Sequence, residues 1–193
     1  GRAICRRTAD SSPSLTERAG VSNRAGADCY VSLHSNAAGN DGWYDASGLE
    51  IYTSAGPETA QRNVLASALA EAFRAAGVAL RSSPIKHRMY TVLAKTDAPA
   101  CLIEYGFHTS KADVEKLKDS GCRDKLAEAT ARGLCAWLGA AWQEPADDVS
   151  ELDTAVDKLA DAGLINSPDY WKAGDYSAEN VQALLIKWAA SLV

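Results

Sequence analysis

Ala100-Cys101-Leu102-Ile103 is an uninterrupted apolar run that stops on Glu104, and no other stretch constrains the fold as tightly. A strand apolar on both faces must be covered on both, which places it centrally in a sheet of parallel character with helices on either side. A second run of strand formers, Asp28-Cys29-Tyr30-Val31-Ser32-Leu33, closes on His34. Before it, Ser14-Leu15-Thr16-Glu17 has the pattern of a capping box, and Gly26 is a left-handed helix stop. With residues 3 to 7 as the tail of an earlier strand, the order is strand, helix, strand. That alternation predicts an α/β fold, a mostly parallel or mixed central sheet flanked by helices.

The rest of the chain reads consistently with this. Residues 35 to 47 form a long loop rich in Gly, Asn and Asp, followed by a short strand, Leu49-Glu50-Ile51-Tyr52. Pro57 opens a helix striped by Leu65, Leu69 and Phe73 that ends at Gly77. Between 78 and 99, Tyr90-Thr91-Val92-Leu93 reads as a short strand. Ser110-Lys111-Ala112-Asp113 caps a short helix, and Leu126, Thr130, Leu134, Trp137 and Leu138 stripe a longer one.

Charge then divides the chain. The total is 20 basic against 25 acidic side chains, net −5, but residues 143 to 193 hold only 3 of the basic and 10 of the acidic ones. The acidic balance argues against a nucleic-acid binder, and no apolar run reaches the ~18 residues of a membrane span. Gln143-Glu144-Pro145-Ala146-Asp147-Asp148 has linker composition. The predicted organisation is an α/β domain at 1–142, a linker at 143–150 and a small helical module at 151–193. In that module Leu152, Val156 and Leu159 make one stripe, and Val181, Leu184, Leu185, Trp188 and Leu192 another; Tyr170, Trp171 and Trp188 are its expected core. The five cysteines contain no CxxC and read as reduced, small apolar side chains.

Ligands in such a sheet bind beyond the carboxyl ends of the strands. His34 and Glu104 each close a strong strand, so parallel neighbouring strands would bring imidazole and carboxylate to one rim. That pair suits a metal ligand and a general base, because a metal-bound water attacks only if a carboxylate takes its proton and later delivers it to the leaving group. A structural His and a Glu capping the next turn are the alternative reading.

The residues also resemble a family. Arg7-Thr8-Ala9-Asp10, Ser14-Leu15-Thr16-Glu17-Arg18, Asn23 to Asp28 and Val31-Ser32-Leu33-His34-Ser35-Asn36 look like the middle of zinc-dependent N-acetylmuramoyl-L-alanine amidases of the cell-wall hydrolase type. Pro99 to Phe107 and Thr109-Ser110 continue the likeness in order, over about residues 3 to 140. The resemblance implies His34 as one zinc ligand, Glu104 as the catalytic carboxylate that activates water, and Asn36 as a loop-shaping or substrate-binding residue. It implies zinc as cofactor, bacterial peptidoglycan as partner and action at the cell wall, with the export route and oligomeric state open.

The chain departs from the family pattern at its start. Members carry an earlier strand-end His ligand and a helical Glu ligand, and the only methionine here is Met89, so an upstream segment is expected. The chain alone is accordingly expected to bind zinc poorly and to have little activity. His87, His108 and Glu50 are weak substitute ligands. The competing reading is a non-catalytic wall-binding protein that keeps the amidase fold. A carboxypeptidase, for which Arg88 is the one candidate carboxylate clamp, ranks below both. The module at 151–193 is similar to helical segments of phage lysins, where Tyr170 and Trp171 would face a wall sugar or simply form a miniature core.

Overall fold

The computed structural model describes Ile4 and residues 12–144, 148–174 and 176–191. The expected strand at 3–7, Cys5, the Arg7–Asp10 motif and Leu192 lie outside the described residues. The chain divides into two compact units, Gly1–Trp142 and Gln143–Val193.

In the first unit, four strands form one sheet: β1 (Tyr30–Asn36), β2 (Leu49–Thr53), β3 (Leu80–His87) and β4 (Ala100–Phe107), in spatial order β1-β4-β2-β3. β1 lies parallel to β4, while β2 runs antiparallel to β4 and parallel to β3, so the sheet is mixed. The apolar run at 100–103 is indeed interior, with neighbours on both sides. Around the sheet lie α1 (Leu15–Ala25), α2 (Gln61–Ala75), the short α3 (Thr91–Ala94), α4 (Lys111–Lys118) and α5 (Ser120–Leu138).

Local chemistry fixes several boundaries. Ser14 and Glu17 form a reciprocal capping box at the start of α1, and Gly26 ends it at φ 57°. Ser110 precedes α4 but makes no side-chain cap bond; Asp113, three residues on, instead reaches back to the end of β4. Helices α2 and α5 pack against each other at Gly133, where a Cβ would stand 2.9 Å from the Leu69 Cα, so only glycine permits this approach. Together they seal one face of the sheet: Leu49, Ile51, Cys101 and Ile103 meet Leu65, Leu69, Phe73, Leu126 and Ala129. On the other face Tyr52, Ala100 and Leu102 pack with Val92 and Leu93.

The segment 78–99 differs from its sequence reading. The strand is β3, and Thr91–Ala94 is helical. β3 contains Arg81, Ser82, Ser83 and Pro84 and was hidden by its polarity; as an edge strand it tolerates both exposure and a proline. Val92 and Leu93 are both buried because their helical turn lies on the sheet, packed beside Tyr52, Ala100 and Leu102.

The second unit contains α6 (Asp148–Asp161), α7 (Pro168–Lys172) and α8 (Ala178–Ala190). Pro168 opens α7, and the Ser177 hydroxyl caps α8 through the Asn180 N–H. Val156 and Ile165 are buried, Tyr170 meets Trp171 edge to face at 85°, and Trp171 lies against Tyr176 tilted by 30°. Trp188, expected in the core, is half exposed instead.

Candidate active site

The period of two along a strand decides which residues share the second face of the sheet. His34 of β1 is the register partner of Glu104 of β4, and Glu104 is in turn the partner of Glu50 of β2. Directly paired residues project to the same side, so His34, Glu104 and Glu50 form a row across three strands. Beneath the row, Ser32, Leu102 and Tyr52 continue the same face toward the apolar cluster around α3.

Each member of the row has a distinct environment. His34 is exposed, its Nε2 lies 2.9 Å from the Ser32 hydroxyl, and partial burial together with the Arg18 guanidinium lowers its pKa, favouring neutral imidazole. Glu104 is half-buried, and its Oε2 is buried without a hydrogen-bond partner. Burial, and after it the negative charge of Glu50, push the Glu104 carboxyl up to about 7.

Glu50 is the opposite case. It is only 2% exposed, yet four donors converge on it: Lys86 Nζ (2.5 Å) and Arg81 Nε (2.8 Å) on Oε1, Tyr52 OH (2.7 Å) and Asn36 Nδ2 (2.9 Å) on Oε2. Burial alone would raise its pKa. The hydrogen bonds from Lys86 and Tyr52 and the charges of Lys86 and Arg81 outweigh it, holding Glu50 ionised below its ordinary value. The same bond ties down Asn36, whose Oδ1 also accepts from the Ala37 N–H at 2.8 Å. Both ends of this amide serve to shape the turn out of β1.

The loop from β1 to β2 is held at the same rim. The Ala38 N–H donates to Thr109 Oγ1 and the Tyr44 N–H to Thr109 O. Buried Asp113 accepts from Ser47 Oγ (2.7 Å), Gly48 N–H (3.0 Å) and Phe107 N–H (2.9 Å), joining the start of β2 to the end of β4. Sequence reasoning treated Asp113 as part of a helix cap and Glu50 as a weak ligand. The missed signal in both is a carboxylate among buried neighbours, which needs dedicated donors.

The other sequence candidates separate cleanly. His108 is at the rim, with its Nδ1 against Ser35 Oγ and O. His87 pairs with Thr53 at the far end of β2, three residues or about 10 Å along the strand from Glu50, and its Nδ1 meets the Thr53 hydroxyl. The Arg88 N–H donates to the Thr53 carbonyl at that same far end.

A row of this kind offers a carboxyl that can both take and release a proton near neutral pH, next to a neutral imidazole. It does not by itself make a zinc site. A catalytic zinc takes three protein ligands and an open position, and among the described residues no three His, Cys, Asp or Glu side chains converge to hold a metal ion. Glu50, the nearest further carboxylate, is engaged by its four donors.

Comparison with known proteins completes the description. The profile of the family described as N-acetylmuramoyl-L-alanine amidase matches residues 2–136. The chain is 36% identical over 129 residues to N-acetylmuramoyl-L-alanine amidase CwlM of Bacillus licheniformis, covering 66% of this chain and 47% of that protein. It is 34% identical over 129 residues, with the same coverage, to the sporulation-specific N-acetylmuramoyl-L-alanine amidase of Bacillus subtilis (strain 168). The chain thus spans about half the length of these curated relatives. Among solved structures it is similar to N-acetylmuramoyl-L-alanine amidase AmiC2 of Nostoc punctiforme, with TM-score 0.63 and 27% identity over 72% of this chain and 73% of that one. The N-acetylmuramoyl-L-alanine amidase from Clostridium difficile 630 gives TM-score 0.62 and 28% identity over 71% and 72%.

Proposed function

This chain belongs to the N-acetylmuramoyl-L-alanine amidase family, and from that membership we propose that its protein hydrolyses bacterial peptidoglycan at the amide between the lactyl group of N-acetylmuramic acid and L-alanine. The observation that carries the reading is the pairing of His34 with Glu104 across adjacent parallel strands, with a Glu104 carboxyl that titrates at about 7. A base with that pKa is ionised in a large fraction of molecules at neutral pH, and its conjugate acid is still strong enough to protonate an amine.

Glu104 takes a proton from water, and the resulting hydroxide adds to the lactyl carbonyl carbon. As the carbon–nitrogen bond breaks, the Glu104 carboxylic acid hands that proton to the nitrogen of L-alanine. The products are a lactyl carboxylate and a peptide with a free amino terminus. Asn36 acts by holding the turn that follows His34. We assign His34 the zinc-ligand role that the resemblance implies. The described residues do not complete a zinc donor set, so no step here runs through a metal.

The site of action in this reading is the bacterial wall; among the described residues no helix is long and apolar enough to cross a membrane. The incomplete donor set favours one rival, a wall-binding protein that keeps the fold without the reaction. Glu104→Gln separates the two. With purified peptidoglycan as substrate, a form of the protein that carries a complete zinc donor set is expected to release new L-alanine amino termini, and its Glu104→Gln variant to do so roughly 10²-fold more slowly. Equal rates would remove Glu104 from the chemistry. Wall binding without released amines in the form that holds stoichiometric zinc would favour the rival, and free terminal amino acids would indicate a carboxypeptidase.

A further inference from the structure

Two cations meet at one oxygen of Glu50. Lys86 Nζ and Arg81 Nε both address Oε1, so a single buried carboxylate faces twice the charge that would neutralise it. The Lys86 and Arg81 side chains remain 40% and 36% exposed, and neither has used all its donors. An ammonium carries three donors and a guanidinium five. Lys86 spends one on Glu50, whereas Arg81 spends Nε on Glu50 and Nη1 on the Ser47 carbonyl at 3.4 Å.

Arg81 is also fixed from the side, because its guanidinium lies over the Phe107 ring at 5.4 Å. That ring belongs to the residue whose N–H Asp113 holds. Arg81 is therefore positioned from three directions and Lys86 by Glu50, and the pair carries one positive charge more than Glu50 neutralises. It lies on the β2–β3 side of Glu104: Lys86 is the register partner of Tyr52, and both cations reach the carboxylate of Glu50, which is the partner of Glu104. A site with fixed, half-exposed and incompletely used cationic donors is suited to an incoming carboxylate.

We propose that Lys86 and Arg81, moored on Glu50, form a carboxylate-binding subsite beside Glu104 that selects stem peptides with a free carboxylate over their amidated counterparts. This deepens the peptidoglycan reading and rests on it. In that substrate the residue after L-alanine is a D-glutamate whose α-carboxyl is either free or amidated. With the scissile amide at Glu104, a peptide running toward β3 brings that group to the two cations. Glu50 is then a positioning residue: it holds the cations where the substrate needs them and never touches the reacting bond.

Binding tests this without requiring turnover. The full chain, labelled with nitrogen-15, is titrated separately with N-acetylmuramoyl-L-alanyl-D-glutamic acid γ-methylamide and with its α-carboxamide counterpart, so that the two differ only at the α-carboxyl and neither has a free γ-carboxyl. The free acid is expected to bind about 10-fold more tightly, the usual worth of a charge-assisted contact, with the largest amide shifts at 80–87. Lys86→Met and Arg81→Met should each reduce the preference to about twofold or less. The wild-type comparison needs no variant, so loss of folding in either substitution would not rescue the idea. Equal affinity for the two compounds in wild type overturns the subsite while leaving the peptidoglycan reading standing, as does a preference that survives both substitutions. Failure of both compounds to shift any amide near His34 or Glu104 overturns that reading and the subsite with it.

Discussion

On one face of the sheet Leu49, Ile51, Cys101 and Ile103 are fully buried under α2 and α5, with Phe73 among them. One residue further along the same strands, Glu50 and Glu104 point the other way, into a row of charged and titratable groups. Strand periodicity lets five or six residues serve both purposes, because successive side chains never share a side. The apolar face supplies burial, which is non-directional and tolerant in detail. The polar face depends on register, since a one-residue slip would send Glu104 into the core and Ile103 into the site. The dry side therefore holds the wet side in place.

Substitutions on the two faces should differ accordingly. Phe73→Ala removes a fully buried ring and is expected to cost about 3–5 kcal/mol in chemical denaturation, enough to unfold a marginal domain. A loss under about 1 kcal/mol would mean that the sealed face does not carry the fold. Glu50→Ala strips two cations, a phenol and an amide of their common acceptor, with an expected cost of about 2 kcal/mol because the half-exposed cations regain water.

Asp113→Asn should cost about 1 kcal/mol at neutral pH. Burial by itself would raise the Asp113 pKa, but the N–H of Phe107, the Ser47 hydroxyl, the N–H of Gly48 and the charge of Lys116 lower it. A carboxyl held below its ordinary value stabilises the fold above that value, and the contribution fades as pH falls through the lower, folded one. The gap between wild type and variant in thermal melts should thus close below about pH 4.

Glu104→Gln is the smallest effect and the sharpest contrast, because its sign is reversed. The Glu104 carboxyl titrates at about 7 in the fold, well above an ordinary carboxylate. Its contribution to stability is full below the ordinary value and is lost as pH rises through 7. The variant, permanently neutral, should melt with wild type at pH 5 and about 1–2 °C above it at pH 8.5. A variant less stable than wild type at the higher pH would show that Glu104 is a structural group with a partner, contrary to its orphaned Oε2.

Much of this is legible in the sequence. The Ser14–Glu17 box and Gly26 bracket α1 as read, and the 100–103 run is the interior strand it looked to be. His34 and Glu104 closed two strong strands in the sequence and prove to be register partners. What misled was polarity: β3 did not look like a strand because its neighbours on the sheet, not its own residues, keep it there. Glu50 likewise reads as an ordinary strand glutamate until Lys86 and Arg81 arrive from another strand.

The sequence by itself determined the local elements whose causes lie within a few residues, caps, helix stripes and apolar runs, together with the family likeness. The tertiary structure alone decided the reversed direction of β2, the antiparallel pairing of Glu50 with Glu104 and the convergence of two cations on a buried carboxylate. Register between distant strands is set by the summed fit of both faces of a sheet, and no single segment carries that information.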